Sequence, residues 1–386
     1  MQSEQYDIIV CGAGMAGLSL VYRALKDDVW KNKKILIIDK ESKDQNDKTW
    51  CFWQKEEEHT AFEMIIFRKW SNLLFFSNKG QKIRLDTGSF QYKMIRSIDF
   101  YKHVLAFIRS FDQVRFANEE IIDVETKGSE AEVTTAVSRY RAAFVFNSVY
   151  SKPALKPQDQ YFLQHFKGVT IRTDEFKGDP LAINFMDFRT SQNNGATFFY
   201  TLPLSQTEIF TEYTIFSKFL LKQNEYDAGI REYIDKMLKI KNYEIIEEEF
   251  GVIPMTDYRF SRRSGNVINI GSAGGDTRGS TGYTFLNTQK TISKILASFQ
   301  KNNDPFFESE HISKKHKVLD ATILNVFDQG KYPGDEIFTD LFKNVKAKTI
   351  FKFLDSESSA LDDLKIMSSL RAKYFIGPFL KVLSNK

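Results

Sequence analysis

Cysteine is nearly absent. Two in 386 residues, Cys11 and Cys51, make neither a disulfide framework nor a thiolate metal cluster, and fit a reduced, intracellular setting. The five histidines (His59, His103, His165, His311 and His316) are scattered, so no metal site is expected. No run of about 18 uninterrupted apolar residues occurs, which excludes a spanning helix. Strand character begins almost at residue 1, so no signal peptide is expected. The net charge of +4 is small and evenly spread, so no nucleic-acid partner is expected. There is no C-x-x-C, no H-E-x-x-H, no Ser/His/Asp order and no G-x-x-x-x-G-K loop, which sets aside thiol-redox, zinc-peptidase, serine-hydrolase and phosphate-transfer chemistry. Prolines number eight, whereas phenylalanine occurs 35 times. So much aromatic surface belongs to a generous core or to a long apolar ligand.

What is present is a dinucleotide fingerprint. Tyr6 to Cys11 is an apolar strand that runs into Gly12-Ala13-Gly14-Met15-Ala16-Gly17, and a helix-compatible stretch follows from Leu18 to Leu25. Gly12 permits the tight turn, Gly14 admits a pyrophosphate and Gly17 lets the helix pack on its strand. The helix N-terminus offers N–H groups to the phosphates. Lys33 to Ile38 reads as the second strand, ending in Asp39, where an acidic side chain would take ribose hydroxyls.

Antiparallel strand patterns intrude at once, over 64–93 and again over 160–250. Helices are expected at Ile98 to Phe111 and around Ala228 to Lys239. Strands are expected near 121–126, 131–136 and 143–147. A late strand, Val267 to Ile270, enters a second glycine-rich loop at Gly271 to Asp276, and a helix follows from Gly282 to Phe299. The fold class is therefore α/β. A Rossmann-type FAD-binding domain is assembled from 1–63, 94–160 and 255–305, with a mainly antiparallel β-sheet substrate domain (64–93 and 161–254) inserted in it. A helical C-terminal region covers 306–386. An interrupted Rossmann fold completed by a late glycine loop suits FAD better than NAD. The backbone at Gly274, Gly275 and Gly282 would approach the flavin, and Arg278 would meet it or its phosphates.

Four further clusters carry a resemblance: Asp47-Lys48-Thr49-Trp50-Cys51-Phe52-Trp53, Phe185-Met186-Asp187-Phe188-Arg189, Phe210-Thr211-Glu212-Tyr213-Thr214 and Gly274 to Tyr283, which includes Ser280-Thr281-Gly282-Tyr283. With the N-terminal glycines, the chain resembles the bacterial lycopene β-cyclases from about residue 5 to 300. Asn147-Ser148 and Gly271-Ser272 stand where flavin hydroxylases usually carry Asp-Gly and Gly-Asp, which argues against a hydroxylase.

The resemblance implies an intramolecular lyase of carotenoid synthesis, a peripheral protein at the cytoplasmic face of the cell membrane. Its reaction is redox-neutral: a proton is added to the acyclic end group of lycopene, the neighbouring double bond captures the cation, and proton loss leaves a β-ionone ring. It implies FAD in the reduced form, with NAD(P)H as reductant, and Glu212 as the acid. A carboxyl in apolar surroundings stays protonated, as a general acid must. Asp187 is the second catalytic candidate, although Asp187 and Arg189 also suit a structural ion pair. Phe210 and Tyr213 are expected to point away from the face of Glu212, so cation-facing aromatics would come from Trp50, Phe52 or Trp53, with Tyr283 also in the substrate pocket.

Membrane contact is expected at the C-terminal end. Ile337, Phe338, Leu341, Phe342 and Val345 form one stripe there among lysines, and Lys373 to Leu383 mixes aromatics with lysine again. Two other readings remain open: a flavin-dependent isoprenoid reductase of the geranylgeranyl type, and a non-catalytic flavin- or carotenoid-binding protein. Ring number, electron donor and oligomeric state are left open.

Overall fold

The computed structural model describes residues 4–307 and 312–384; His311 lies outside them. Three sheets organise the chain. The first strand, Glu4–Cys11, lies at the centre of an eight-stranded sheet, between Arg139–Asn147 and Ile35–Asp39 and parallel to both. Val114–Asn118 and Val267–Asn269 extend it on either side in the same sense. The central strand is buried over Ile8 to Cys11, as expected of a parallel strand covered on both faces.

The turn from this strand into helix Met15–Lys26 is as tight as the spacing predicts. Gly12 has φ +95°, and a Cβ on Gly17 would lie 2.0 Å from the Gly12 carbonyl oxygen. Helix Phe285–Asn302 packs beside helix Met15–Lys26 through Ile292, Ile295 and Leu296. Arg23 adds hydrogen bonds to Gln289 and Ser293.

A seven-stranded sheet forms the second layer, in the order Glu244–Thr256, Tyr161–Arg172, Glu208–Ser217, Ala196–Pro203, Ala182–Asp187, Asn72–Phe76, Lys82–Arg84. It is antiparallel except where Ala182–Asp187 runs parallel to Asn72–Phe76. Strict alternation gives it two apolar faces. Ile209, Tyr213, Ile215 and Phe199 point to helix Gln223–Tyr233, which begins five residues before the expected Ala228. Phe185, Phe198, Leu202 and Phe210 point the other way, into a core shared with Trp53 and the C-terminal helices. A three-stranded sheet (Thr49–Lys55, Phe90–Arg96, Arg68–Trp70) bridges the two layers. The segment 64–93 is thus divided between two sheets.

Among the described residues five α-helices follow, from Lys314–Gln329 to Ile376–Ser384. The stripe expected to face lipid does not. Phe342 and Val345 are buried in the core shared with the sheet, Ile337 packs with Val326 and Tyr332, and Phe338 and Leu341 line an internal cavity. On the last two helices Leu361, Leu364, Met367, Ile376, Leu380 and Leu383 are exposed. Among the described residues no helix is long and apolar enough to cross a membrane.

Candidate active site

The two glycine loops meet at the C-terminal ends of the parallel strands, where ligands bind open α/β sheets. A Cβ on Gly271 would lie 2.9 Å from Ala16 Cβ, so only a glycine lets the late loop come this close. A cavity of about 470 Å³ runs from this junction, lined by Gly14, Met15, Ala16 and Ser272, to the sheet domain, where Glu212, Tyr200, Phe210, Tyr92, Trp50 and Tyr283 surround it.

The glycine-loop end carries the features that the phosphates of a nucleotide require. The helix at Met15 has no side-chain cap and no acidic residue in its first turn, so its N–H groups face the cavity unopposed. Gly14 has nothing within 4 Å of where its Cβ would stand. Asp39 accepts a hydrogen bond from Ala13 N at 2.6 Å, beside the loop. Gly12, Ala13, Gly17 and Asp39 build this cradle without lining the cavity, and Gly282 (φ +75°) lines it from the late loop. Gly274 serves its own loop: a Cβ there would stand 2.2 Å from Asn269 O. Gly274 and Gly275 line a smaller neighbouring pocket.

Arg278 and Asp187 are not where the sequence suggested. The Arg278 guanidinium is fully buried; its Nε and Nη2 donate to Asp320, and its Nη1 donates to Leu354 O and Ser356 Oγ. Turned to Asp320 and the C-terminal helices, it does not line the cavity. Asp187 is fully buried too and accepts from Arg189 Nε (2.9 Å), Arg189 Nη2 (2.6 Å) and Tyr233 Oη (2.8 Å). With Arg189 lying over Phe76, this is a structural knot. It contributes nothing to the cavity wall.

Glu212 lies in the wall itself, in a cross-strand row. Tyr200 is its partner on one side and Gly168 on the other, and Gly168 is in turn the partner of Glu249. Directly opposed residues share a face, so the row Tyr200, Glu212, Gly168, Glu249 presents two carboxyls about 10 Å apart at the backbone, two strand spacings. A Cβ on Gly168 would meet the Phe210 ring at 2.6 Å and Glu249 Cγ at 3.0 Å; the glycine makes room for both. Phe210, two residues before Glu212, shares its face and lines the cavity, contrary to expectation. Tyr213 alone points away.

Burial raises the Glu212 carboxyl to about 8, the charge of Glu249 adds to this, and the Thr214 hydroxyl, donating to Oε1 at 2.5 Å, opposes it. Burial raises Glu249 to about 7, although Thr49 Oγ1 donates to its Oε2 at 2.6 Å; its Oε1 finds no partner among the described residues. Glu212 therefore holds its proton near neutrality, where Glu249 is passing from its neutral to its charged form. Burial pushes Tyr92, Tyr200 and Tyr283 upward as well, so they remain neutral around Glu212.

The sign of the coupling makes a prediction. Removing the negative charge of Glu249 lowers the Glu212 pKa, so Glu212 loses its proton at a lower pH. Glu249→Gln should move the alkaline limb of the pH–rate profile to lower pH while retaining activity in mild acid. An unmoved limb would separate the two carboxyls.

The aromatic residues divide. Trp50 lines the cavity, its ring edge-on to Phe100. Phe52 is stacked on Phe285 at 4.7 Å and Trp53 on Phe351 at 4.7 Å, both outside the wall. Trp53 backs Tyr283 with ring centroids 4.1 Å apart and donates its Nε1–H to Asp355.

Against known proteins, the family described as lycopene cyclase protein matches residues 7–381. The chain belongs to that family. A curated relative, the chloroplastic neoxanthin synthase of Solanum lycopersicum, is 26% identical over 317 residues, which is 76% of this chain and 60% of that protein; the chain thus spans only part of the relative's length. Among solved structures, a geranylgeranyl bacteriochlorophyll reductase-like protein of Thermoplasma acidophilum matches with TM-score 0.62 at 14% identity, each chain covered fully. A flavin-dependent brominase matches with TM-score 0.55 at 14% identity over 99% of this chain and 98% of its own. These likenesses establish the α/β fold with its Rossmann-type nucleotide domain.

Proposed function

We propose that this cyclase-family chain is a lycopene β-cyclase, which binds FAD at the N-terminal glycine loop and closes β-ionone rings by acid catalysis. The observation that carries the reading is a carboxyl kept protonated by burial, in an aromatic cavity whose far end is the uncapped dinucleotide loop. Thr214 fixes Glu212 Oε1 as an acceptor, which leaves Oε2 to hold the proton. That proton passes to the terminal double bond of the end group, and the neighbouring double bond supplies the electron pair for the new C–C bond. A ring carbon then loses a proton, for which the Glu212 carboxylate is the acceptor. Trp50, Phe210 and the neutral tyrosines line the space around the cation, where each ring face that meets it would contribute about 0.5–2 kcal/mol, and they exclude the water that would quench it. Bound in its reduced form, FAD would supply negative charge that stabilises the cation. NAD(P)H is the proposed source of its electrons.

The deciding experiment is stoichiometric. With dithionite-reduced flavin under anaerobic conditions, lycopene should give products of unchanged mass over many turnovers, without further reductant. One reductant consumed per double bond, with a gain of two hydrogens, would identify an isoprenoid reductase. An unchanging polyene spectrum would identify a binding protein.

Such a hydrocarbon must be drawn from a bilayer, and the exposed Leu361, Leu364, Ile376 and Leu380, interspersed with Lys365, Lys373 and Lys381, suit the cytoplasmic face of an anionic membrane. Each lysine near the surface adds about 1 kcal/mol. The protein should float with anionic liposomes at low salt, and a Leu364→Asp/Leu380→Asp variant should not. If the native chain remains in the soluble fraction, this surface is not the docking face.

A further inference from the structure

A second cavity, of about 230 Å³, lies among the C-terminal helices, and all five contribute to it. Its wall is almost wholly aliphatic and aromatic, with Ile323, Phe338, Leu341, Ile350 and Phe379 among its lining. The polar groups at its edge are already engaged: Asp320 by Arg278 and Ser280, and the Thr322 hydroxyl by Val318 O. The exception is Thr281, whose buried hydroxyl has no partner among the described residues. Thr281 also lines the main cavity, so one residue is common to both walls. The outer rim, at Met367 and Ile376, joins the exposed apolar side chains of the last two helices.

The main cavity must hold a flavin ring and a reacting end group within about 470 Å³, in the range that a single drug-sized ligand fills. The remainder of a long polyene needs other space of the same apolar character. We propose that the C-terminal cavity is a second subsite, which holds the hydrocarbon chain beyond the reacting end, with Thr281 at the junction. Substrate then enters lengthwise, from the exposed rim past Met367 and Ile376 to Glu212. This rests on the cyclase reading for the identity of the chain, a linear isoprenoid hydrocarbon. An aliphatic wall whose one unpartnered hydrogen-bonding group among the described residues is the Thr281 hydroxyl selects that class over any polar ligand.

The test uses full-length, flavin-loaded protein with two substrates: lycopene, and a short isoprenoid hydrocarbon bearing the same end group but ending before Thr281. Leu341→Trp fills the cavity from within, and Ala372→Trp fills it from an exposed position at the rim. Both variants should lose about tenfold or more in kcat/KM for lycopene, as misfit in an apolar pocket does, and leave turnover of the short substrate unchanged. Flavin content reports folding. If Leu341→Trp loses its flavin, Ala372→Trp decides. Equal losses on both substrates, or none on lycopene, would overturn the subsite and leave the reading at Glu212 standing. If the native protein closes no ring on either substrate, that reading fails and the subsite is judged by the absorption shift of bound lycopene. A shift lost in both variants would support it, and a shift retained would overturn it.

Discussion

Glu212→Gln should give a folded, yellow protein that closes no rings. The amide is nearly isosteric and still accepts from Thr214 through its oxygen, but it has no proton acidic enough to give to an alkene. Loss of a positioned general acid costs about 10²–10⁴-fold. Here the loss should reach at least the upper end, because Asp187, the other carboxyl in the family motifs, is tied to Arg189 and Tyr233 and cannot substitute. Flavin absorbance should match the native protein, and the thermal midpoint should exceed the native one by a margin that grows as pH rises from the ordinary carboxylate range to about 8. The sign follows from the raised pKa, about 8 when folded. Between the ordinary carboxylate value and that one, unfolding releases the proton that the buried carboxyl holds, so the native protein loses stability as pH rises, whereas the amide variant has no such proton to release. Measured ring formation near the native rate would move the acid elsewhere.

Gly14→Val should give the opposite phenotype, a folded and colourless protein. Gly14 has φ −82°, which valine adopts without strain, and open space where its Cβ would go. The side chain therefore enters the cavity where a pyrophosphate would pass. An affinity loss of about hundredfold or more, roughly 2.7 kcal/mol, is expected in a flavin titration. Gly17→Val is the contrasting control. Its Cβ collides with the Gly12 carbonyl, so it should fail to fold. A Gly14→Val protein that keeps its full flavin complement would dislodge the N-terminal assignment.

The parts of the site that the sequence discloses are those built from consecutive residues. The turn at Gly12, the close helix packing at Gly17 and Asp39 beside Ala13 all follow from spacing along one βαβ unit. Glu212 was legible through its motif. Tyr200 and Glu249 were not, because they become its neighbours only through the register of four strands, and a one-residue slip would turn either to the other face. Phe210 was misassigned although its spacing of two from Glu212 contains the answer. Val114–Asn118 escaped notice as a short edge strand with Arg115 and Phe116 exposed. The partners of Arg278 lie 42 and 76 residues away, beyond any local pattern. The phenylalanine excess has a plainer source than a ligand alone, since much of it fills the two apolar faces of the seven-stranded sheet.

The burial of Arg278 bears on how this family can be recombined. Its guanidinium sits at the root of the late glycine loop, yet its counter-charge and carbonyl acceptors come from Asp320, Phe353 and Leu354 in the C-terminal helices. Breaking a buried pair by removing one partner costs about 3–5 kcal/mol, a large part of the stability of an ordinary domain. The helices are therefore not a module to be exchanged freely between relatives. A crossover placed after Tyr283 would graft one parent's arginine onto another parent's acceptors, whereas a crossover before Gly271 keeps the set intact. Shuffled libraries of this family should yield soluble progeny mainly from the second kind of junction.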